Sequence, residues 1–281
     1  MKFVRTNPWS RIAAIAFCLV VISGCAGYGL KSKPAGVPEV RPGILAGYLP
    51  FNDLPDSLAL LPPPPAAGSA ATALDEEVRL KNLALQGSPR WAQAASDADL
   101  TFPHAAQTYS CALDIAISEE ETPHLYMLLR RTFTDAIVAT LNAKGHYLRT
   151  RPFVMHHTST CSPDQESELK EDGSYPSGHT SIGWTWALIL SEIAPERGDA
   201  ILARARAYEE SRLVCGVHWQ SDVIGGRFIG SAVAARLHSS PDFLADLKAA
   251  KAEIAAVRAR NLHPTRNCRE EAAALSEQKA P

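Results

Sequence analysis

The chain has 281 residues, 46% of them hydrophobic and 21% charged, and its 28 Lys and Arg against 30 Asp and Glu give a formal net charge of −2. That length supports one sizeable core, and the absence of a basic stripe excludes a nucleic-acid-binding surface. Beyond the first two dozen residues the apolar runs are interrupted by charge, so no integral membrane domain is expected.

The chain starts with a targeting pattern. Lys2, Arg5 and Arg11 precede an apolar run from Ile12 to Ile22, too short for an ordinary membrane span. Ile22-Ser23-Gly24-Cys25 then reads as a lipobox, so residues 1–24 are expected to be a lipoprotein signal peptide and Cys25 to be acylated. The other reading is ordinary secretory cleavage just beyond, with Cys25 incidental; both export the protein. Ala26, rather than Asp, resembles the second mature residue of bacterial lipoproteins sent to the outer membrane. Without residues 1–24 the chain keeps 25 basic and 30 acidic residues, net −5.

Residues 25–65 are rich in Pro, Gly and small side chains and are expected to form a tether and extended arm, with Pro62–Pro65 in polyproline II geometry. Residues 66–260 carry helical periods. One begins near Ala73, and the stretch from Gly87 to Gln107 is weakly patterned. Thr122-Pro123 is a helix start. Leu125, Leu129, Phe133, Ile137 and Leu141 repeat every four residues, which predicts one buried stripe running to Lys144 and closed by Gly145. Residues 159–176 read as a polar loop. Thr180–Ile193 reads as an apolar helix stopped by Pro195, followed by helices over Gly198–Val214, Val223–Leu237 and onward from Ser240-Pro241. Gly225, Gly226, Gly230, Ser231 and Ala232 allow close helix approach. Residues 261–281 are a polar tail, expected to be mobile apart from Cys268. No segment alternates with period two, so the fold class is all-α.

Three polar clusters carry chemistry. His218 and Asp222 are four apart, on one face if helical. A carboxylate on Nδ1 leaves Nε2 as an outward lone pair, suited to a nucleophile or base. Arg212 adds a planar fork that matches phosphate oxygens. Ser177-Gly178-His179 opens a helix, where free N–H groups and the dipole favour an anion. Lys144 stands seven residues before Arg151-Pro152. Each cluster has a plain alternative: a solvated His-Asp pair, a Ser N-cap beside a surface histidine, and a lysine complementing a helix C-terminus. Their order along one chain weighs against coincidence.

With those residues the chain resembles the phosphatidic acid phosphatase type 2 superfamily, which also holds the vanadium-dependent haloperoxidases, and within it the class A bacterial non-specific acid phosphatases. The likeness rests on Leu61-Pro62-Pro63-Pro64-Pro65, on Tyr175 through Trp184 (YPSGHTSIGW) and on Cys215 through Val223, and runs from about Tyr48 to about Ala256. Val217 departs from it, standing where the family carries an aromatic residue. The resemblance implies a helical bundle of the acid phosphatase/vanadium-dependent haloperoxidase type. It also implies metal-independent hydrolysis of many phosphomonoesters, with phosphotransfer to alcohols as a side activity and a homo-oligomeric state.

In that family pattern His218 is the nucleophile, Asp222 orients it and His179 is the general acid and base. Lys144, Arg151, Arg212, Ser177 and the Gly178 N–H bind phosphate. No cofactor is implied, because the cations supply the charge neutralisation a metal would bring. His156-His157 are expected at the pocket rim, since adjacent imidazoles chelate poorly. The expected partners are small phosphomonoesters and inorganic phosphate, with a membrane only through the lipid anchor of a periplasmic, outer-membrane protein. Two alternatives share the motif: a vanadium-dependent haloperoxidase and a non-catalytic phosphate-binding lipoprotein.

Four cysteines remain after Cys18 and Cys25, and in an oxidising compartment they allow two disulfides in three connectivities. Cys161 follows Arg151-Pro152 and Cys215 precedes His218, so those two are expected to pair, leaving Cys111 with Cys268. Buried free thiols are the alternative.

Overall fold

The structure is a computed structural model that describes residue 34 and residues 36–277. The expected signal peptide over 1–24 and the acylated Cys25 lie outside the described residues. Among the described residues a short antiparallel hairpin, β1 (Glu39–Arg41) and β2 (Ile44–Leu45), precedes thirteen α-helices. These are α1 (Ser57–Leu60), α2 (Ala70–Leu83), α3 (Pro89–Ala98), α4 (Ser110–Leu113), α5 (Pro123–Val138), α6 (Leu141–Tyr147) and α7 (Pro152–His156). After them come α8 (Glu166–Glu171), α9 (Gly178–Ile193), α10 (Gly198–Val214), α11 (Gln220–Leu237), α12 (Pro241–Ala259) and α13 (Cys268–Ser276). The fold is the all-α bundle expected; the hairpin is too short to leave a period-two pattern. Among the described residues no helix is long and apolar enough to cross a membrane.

α9 is the centre of the bundle because it is apolar on nearly every side, which a helix tolerates only when surrounded. Ile182, Trp186, Ala187, Ile189, Leu190 and Ile193 are all buried, and the Trp186 indole N–H donates to the Leu129 carbonyl of α5 at 3.1 Å. α11 closes on α9 through its glycines: a Cβ on Gly226 would lie 2.4 Å from the Ser177 carbonyl oxygen, and one on Gly230 2.6 Å from that of Ser181. This backbone-to-backbone approach sets the two helix starts side by side.

The stripe from Leu125 does not run unbroken to Lys144. α5 stops at Val138, the Thr140 hydroxyl donates back to the Ile137 carbonyl at 2.7 Å, and Leu141 is 48% exposed. α6 then sets off on its own, contains Gly145 rather than ending there, and terminates at Leu148 with φ 41°. The break turns Lys144 inward, to 5% exposure.

The polar loop over 159–176 contains α8, and the described part of the tail carries α13. Both expected disulfides form, Cys161–Cys215 and Cys111–Cys268. The second staples the first residue of α13 to α4, and the Glu271 carboxylate of α13 lies 3.3 Å from buried Arg204. The arm lies on the bundle: the backbone N–H groups of Tyr48 and Leu49 donate to the Asp135 carboxylate on α5 at 2.9 to 3.1 Å. The Arg131 guanidinium covers the Tyr48 ring at 3.6 Å.

Candidate active site

Three chain segments far apart in sequence meet at one end of α9. The Ser177 backbone N–H donates to the Asp222 carbonyl at 2.9 Å, fastening the start of α9 to the start of α11. Ser177 caps α9, its Oγ accepting from the Thr180 N–H and hydroxyl at 3.3 and 3.0 Å. The capping follows from a serine just before an apolar helical run. Gly178 is the first helical residue, and a Cβ there would strike Ile137 Cδ1 at 2.4 Å and reach Lys144 Cε at 3.9 Å. A side chain there would have to push the tip of Ile137 aside, whereas the lysine lies at ordinary contact distance.

His218 does not share a helix with Asp222, as the i,i+4 spacing suggested. α11 begins at Gln220, with Trp219 as its N-cap, and Asp222 is the third helical residue. Asp222 Oδ2 accepts from the Trp219 N–H at 2.8 Å and lies 3.3 Å from His218 Nδ1. The contact is therefore made across a helix N-terminus, where the first N–H groups lack helical partners and a carboxylate is favoured.

On its other side His218 meets Arg151, with Nη1 3.2 Å from Nε2. Arginine can only donate, so Nε2 must be the lone-pair nitrogen and Nδ1 must carry the proton toward Asp222. Burial holds the His218 ring well below the usual histidine range, reinforced by the charges of Arg151, Lys144 and Arg212. Burial pushes Asp222 up, opposed chiefly by the Arg149 guanidinium and the Trp219 N–H.

The cations differ in what already occupies them. Arg151 gives Nε to the Leu169 and Asp172 carbonyls, Nη1 to the Val217 carbonyl, and Nη2 to Asp172 Oδ2 at 2.9 Å. Lys144 Nζ reaches the same Asp172 oxygen at 2.9 Å and the Gly173 carbonyl at 2.5 Å. Arg212 is fully buried, yet none of its three guanidinium nitrogens has a hydrogen-bond partner among the described residues. Burial brings it down to about 10. An uncompensated buried charge costs several kcal/mol as an order of magnitude, so this side chain is a candidate for holding an anion.

His179 stacks on Tyr208 with ring centroids 6.5 Å apart, and its Nε2 lies 3.1 Å from the Ala98 carbonyl. A carbonyl only accepts, so Nε2 donates and Nδ1 is the nitrogen left for chemistry. Burial and Arg212 together hold this ring, too, well below the ordinary range. Of the expected rim histidines, His156 is bound to Glu76 Oε1 at 2.7 Å and His157 is exposed.

Four participants were missed in the sequence. Arg149 donates to Asp222 Oδ1 at 2.6 Å and to Asp75 Oδ2 at 2.8 Å. Asp75 accepts from both the backbone N–H and the hydroxyl of Ser221, at 2.8 and 2.7 Å. The fourth is Asp172. Arg149 stands only two residues before Arg151, and that nearness is the one signal by which it could have been found. Asp75 carried none.

The PAP2 superfamily pattern matches residues 123–244. The chain is 44% identical over 209 residues to the non-specific acid phosphatase of Providencia stuartii, covering 74% of this chain and 84% of that one. It is 43% identical over 195 residues to the non-specific acid phosphatase of Salmonella typhimurium, covering 69% and 78%. With the acid phosphatase of Zymomonas mobilis it shares 39% over 199 residues, covering 71% and 75%.

Proposed function

Since the chain belongs to the non-specific acid phosphatases of the PAP2 superfamily and is an acid phosphatase, we propose that it hydrolyses a broad range of phosphomonoesters through a phosphohistidine on His218. The observation that carries this reading is the contact between Arg151 and His218, which leaves Nε2 nothing but a lone pair to present.

Arg212, Lys144 and Arg151 hold the phosphate oxygens, with the Gly178 N–H and the Ser177 hydroxyl completing the cradle. The Nε2 lone pair attacks phosphorus in line, the N–P bond forms and the bond to the ester oxygen breaks. His179, protonated at both nitrogens, gives its Nδ1 proton to the departing alkoxide while Nε2 stays on the Ala98 carbonyl. Neutral Nδ1 then takes a proton from water, whose oxygen attacks phosphorus and breaks the N–P bond. An alcohol in place of that water gives phosphotransfer.

The proposal includes export, with Cys25 as the lipid anchor in the outer membrane, action in the periplasm and a homo-oligomeric enzyme; two disulfides favour an oxidising compartment. The test is acid-stable against acid-labile phosphate on the enzyme after a rapid quench with an aryl phosphate. Label that is acid-labile, maps to the peptide holding His218 and vanishes in His218→Asn is expected. Turnover retained by His218→Asn would overturn the mechanism.

A further inference from the structure

One oxygen, Asp172 Oδ2, lies 2.9 Å from Lys144 Nζ and 2.9 Å from Arg151 Nη2. The two cations are 5% and 2% exposed, whereas the Asp172 side chain is 45% exposed. The site is therefore lopsided. On the Arg212 side every guanidinium nitrogen is without a partner among the described residues. Lys144 and Arg151, by contrast, already share an anion supplied by the chain, and the backbone carbonyls of Gly173, Leu169 and Val217 accept from them as well.

We propose that Asp172 is a built-in competitor for the phosphate group. Its carboxylate occupies the Lys144 and Arg151 side of the cradle, gives way when a phosphomonoester enters on Arg212, and returns as inorganic phosphate leaves. The proposal rests on the cradle described above and assigns Asp172 as the residue that sets affinity for the phosphate moiety. The physical basis is charge. A dianion and a carboxylate contending for the same two donors repel at contact distances, and only one of them is tethered to an exposed side chain able to swing into water. A permanent brace, by contrast, would gain from an acceptor oxygen whether or not it were charged.

The comparison of Asp172→Asn with wild type separates these roles, because asparagine keeps an acceptor oxygen of the same reach and removes the charge. Asp172→Ser, which gives up the reach as well, serves if the asparagine variant folds poorly. Binding of inorganic phosphate is followed by calorimetry on the disulfide-intact protein, with a thermal melt to verify folding. A competitor predicts that phosphate binds about tenfold or more tighter in the folded variants, and that product inhibition by phosphate strengthens in step. Phosphate binding that is unchanged or weaker overturns the proposal. A wild-type protein that binds no phosphate overturns the cradle itself, and that failure is seen before any variant is compared.

Discussion

Arg151 Nη1 stands 3.2 Å from His218 Nε2, and no other arrangement of protons suits the pair than a donor on arginine and a lone pair on histidine. The guanidinium also spans Leu169, Asp172 and Val217. Arg151→Lys keeps the positive charge but cannot fork, so it should lose the hold on His218 while leaving a cation in the pocket. We expect kcat/KM to fall by about 10²–10³, as for removal of one oriented donor at a developing charge. The NMR shifts of the His218 ring nitrogens should become those of mixed tautomers. A lysine variant within about tenfold of wild type would count against an orienting role.

As a phosphate-binding residue of the proposed cradle, Arg212 would trade stability for function. A buried guanidinium without partners is costly, and replacing such a charge by an apolar side chain of similar length is often stabilising by about 1–4 kcal/mol. Arg212→Met should therefore melt at a higher temperature than wild type in phosphate-free buffer. Phosphate at about a hundred times its Kd should add about 2.7 kcal/mol to wild type and nothing measurable to the variant. Equal phosphate protection in both would remove Arg212 from the anion site.

What the sequence disclosed was local. α9, α10 and α11 were legible because apolar periodicity and Ser177 as a cap act over a few residues, and the residues of the candidate site could be picked out because few side-chain types suit such chemistry. The break between α5 and α6 was hidden, since Thr140 ends the helix through a single hydroxyl contact while the four-residue repeat continues past it. The exit of His218 from α11 was hidden for a similar reason: spacing of four suits a helix, and only the Trp219 cap shows that it starts later. Asp75 lies 146 residues from the Ser221 it binds, a separation that leaves no periodic trace.

Arg149 reaches His218 through Asp222. It is the largest influence opposing the upward push of burial on that carboxyl, and it is itself held by Asp75 at 2.8 Å. Removing its positive charge lets Asp222 keep a proton to higher pH, and a protonated carboxyl no longer draws the Nδ1 proton of His218. Arg149→Met should lower kcat and move the acid limb of the pH profile to higher pH. Asp75→Asn, which loosens Arg149 without removing it, should move the limb in the same direction by less. An acid limb unmoved in Arg149→Met, with kcat alone reduced, would assign Arg149 to packing only.

The acidic working range follows from the two rings. In the proposed mechanism turnover needs His218 neutral and His179 protonated, and both rings are held well below the ordinary value of 6.5, by burial first and by the nearby cations next. The kcat/KM profile reports the free enzyme, so its acid limb, where His218 gains a proton, and its alkaline limb, where His179 loses one, should both lie on the acid side of that value. They belong to the pair rather than to either ring alone. A bound phosphate dianion offsets the cations, which favours the protonated rings and raises both values, so the kcat profile should sit at higher pH than that of kcat/KM. Arg212→Gln removes the largest charge acting against protonation of His179 and should shift the alkaline limb of kcat/KM upward, toward neutrality. Steady-state kinetics from acid to neutral pH on an aryl phosphate decides it: a kcat/KM maximum above about pH 7, or an alkaline limb that moves down in Arg212→Gln, is incompatible with these proton positions.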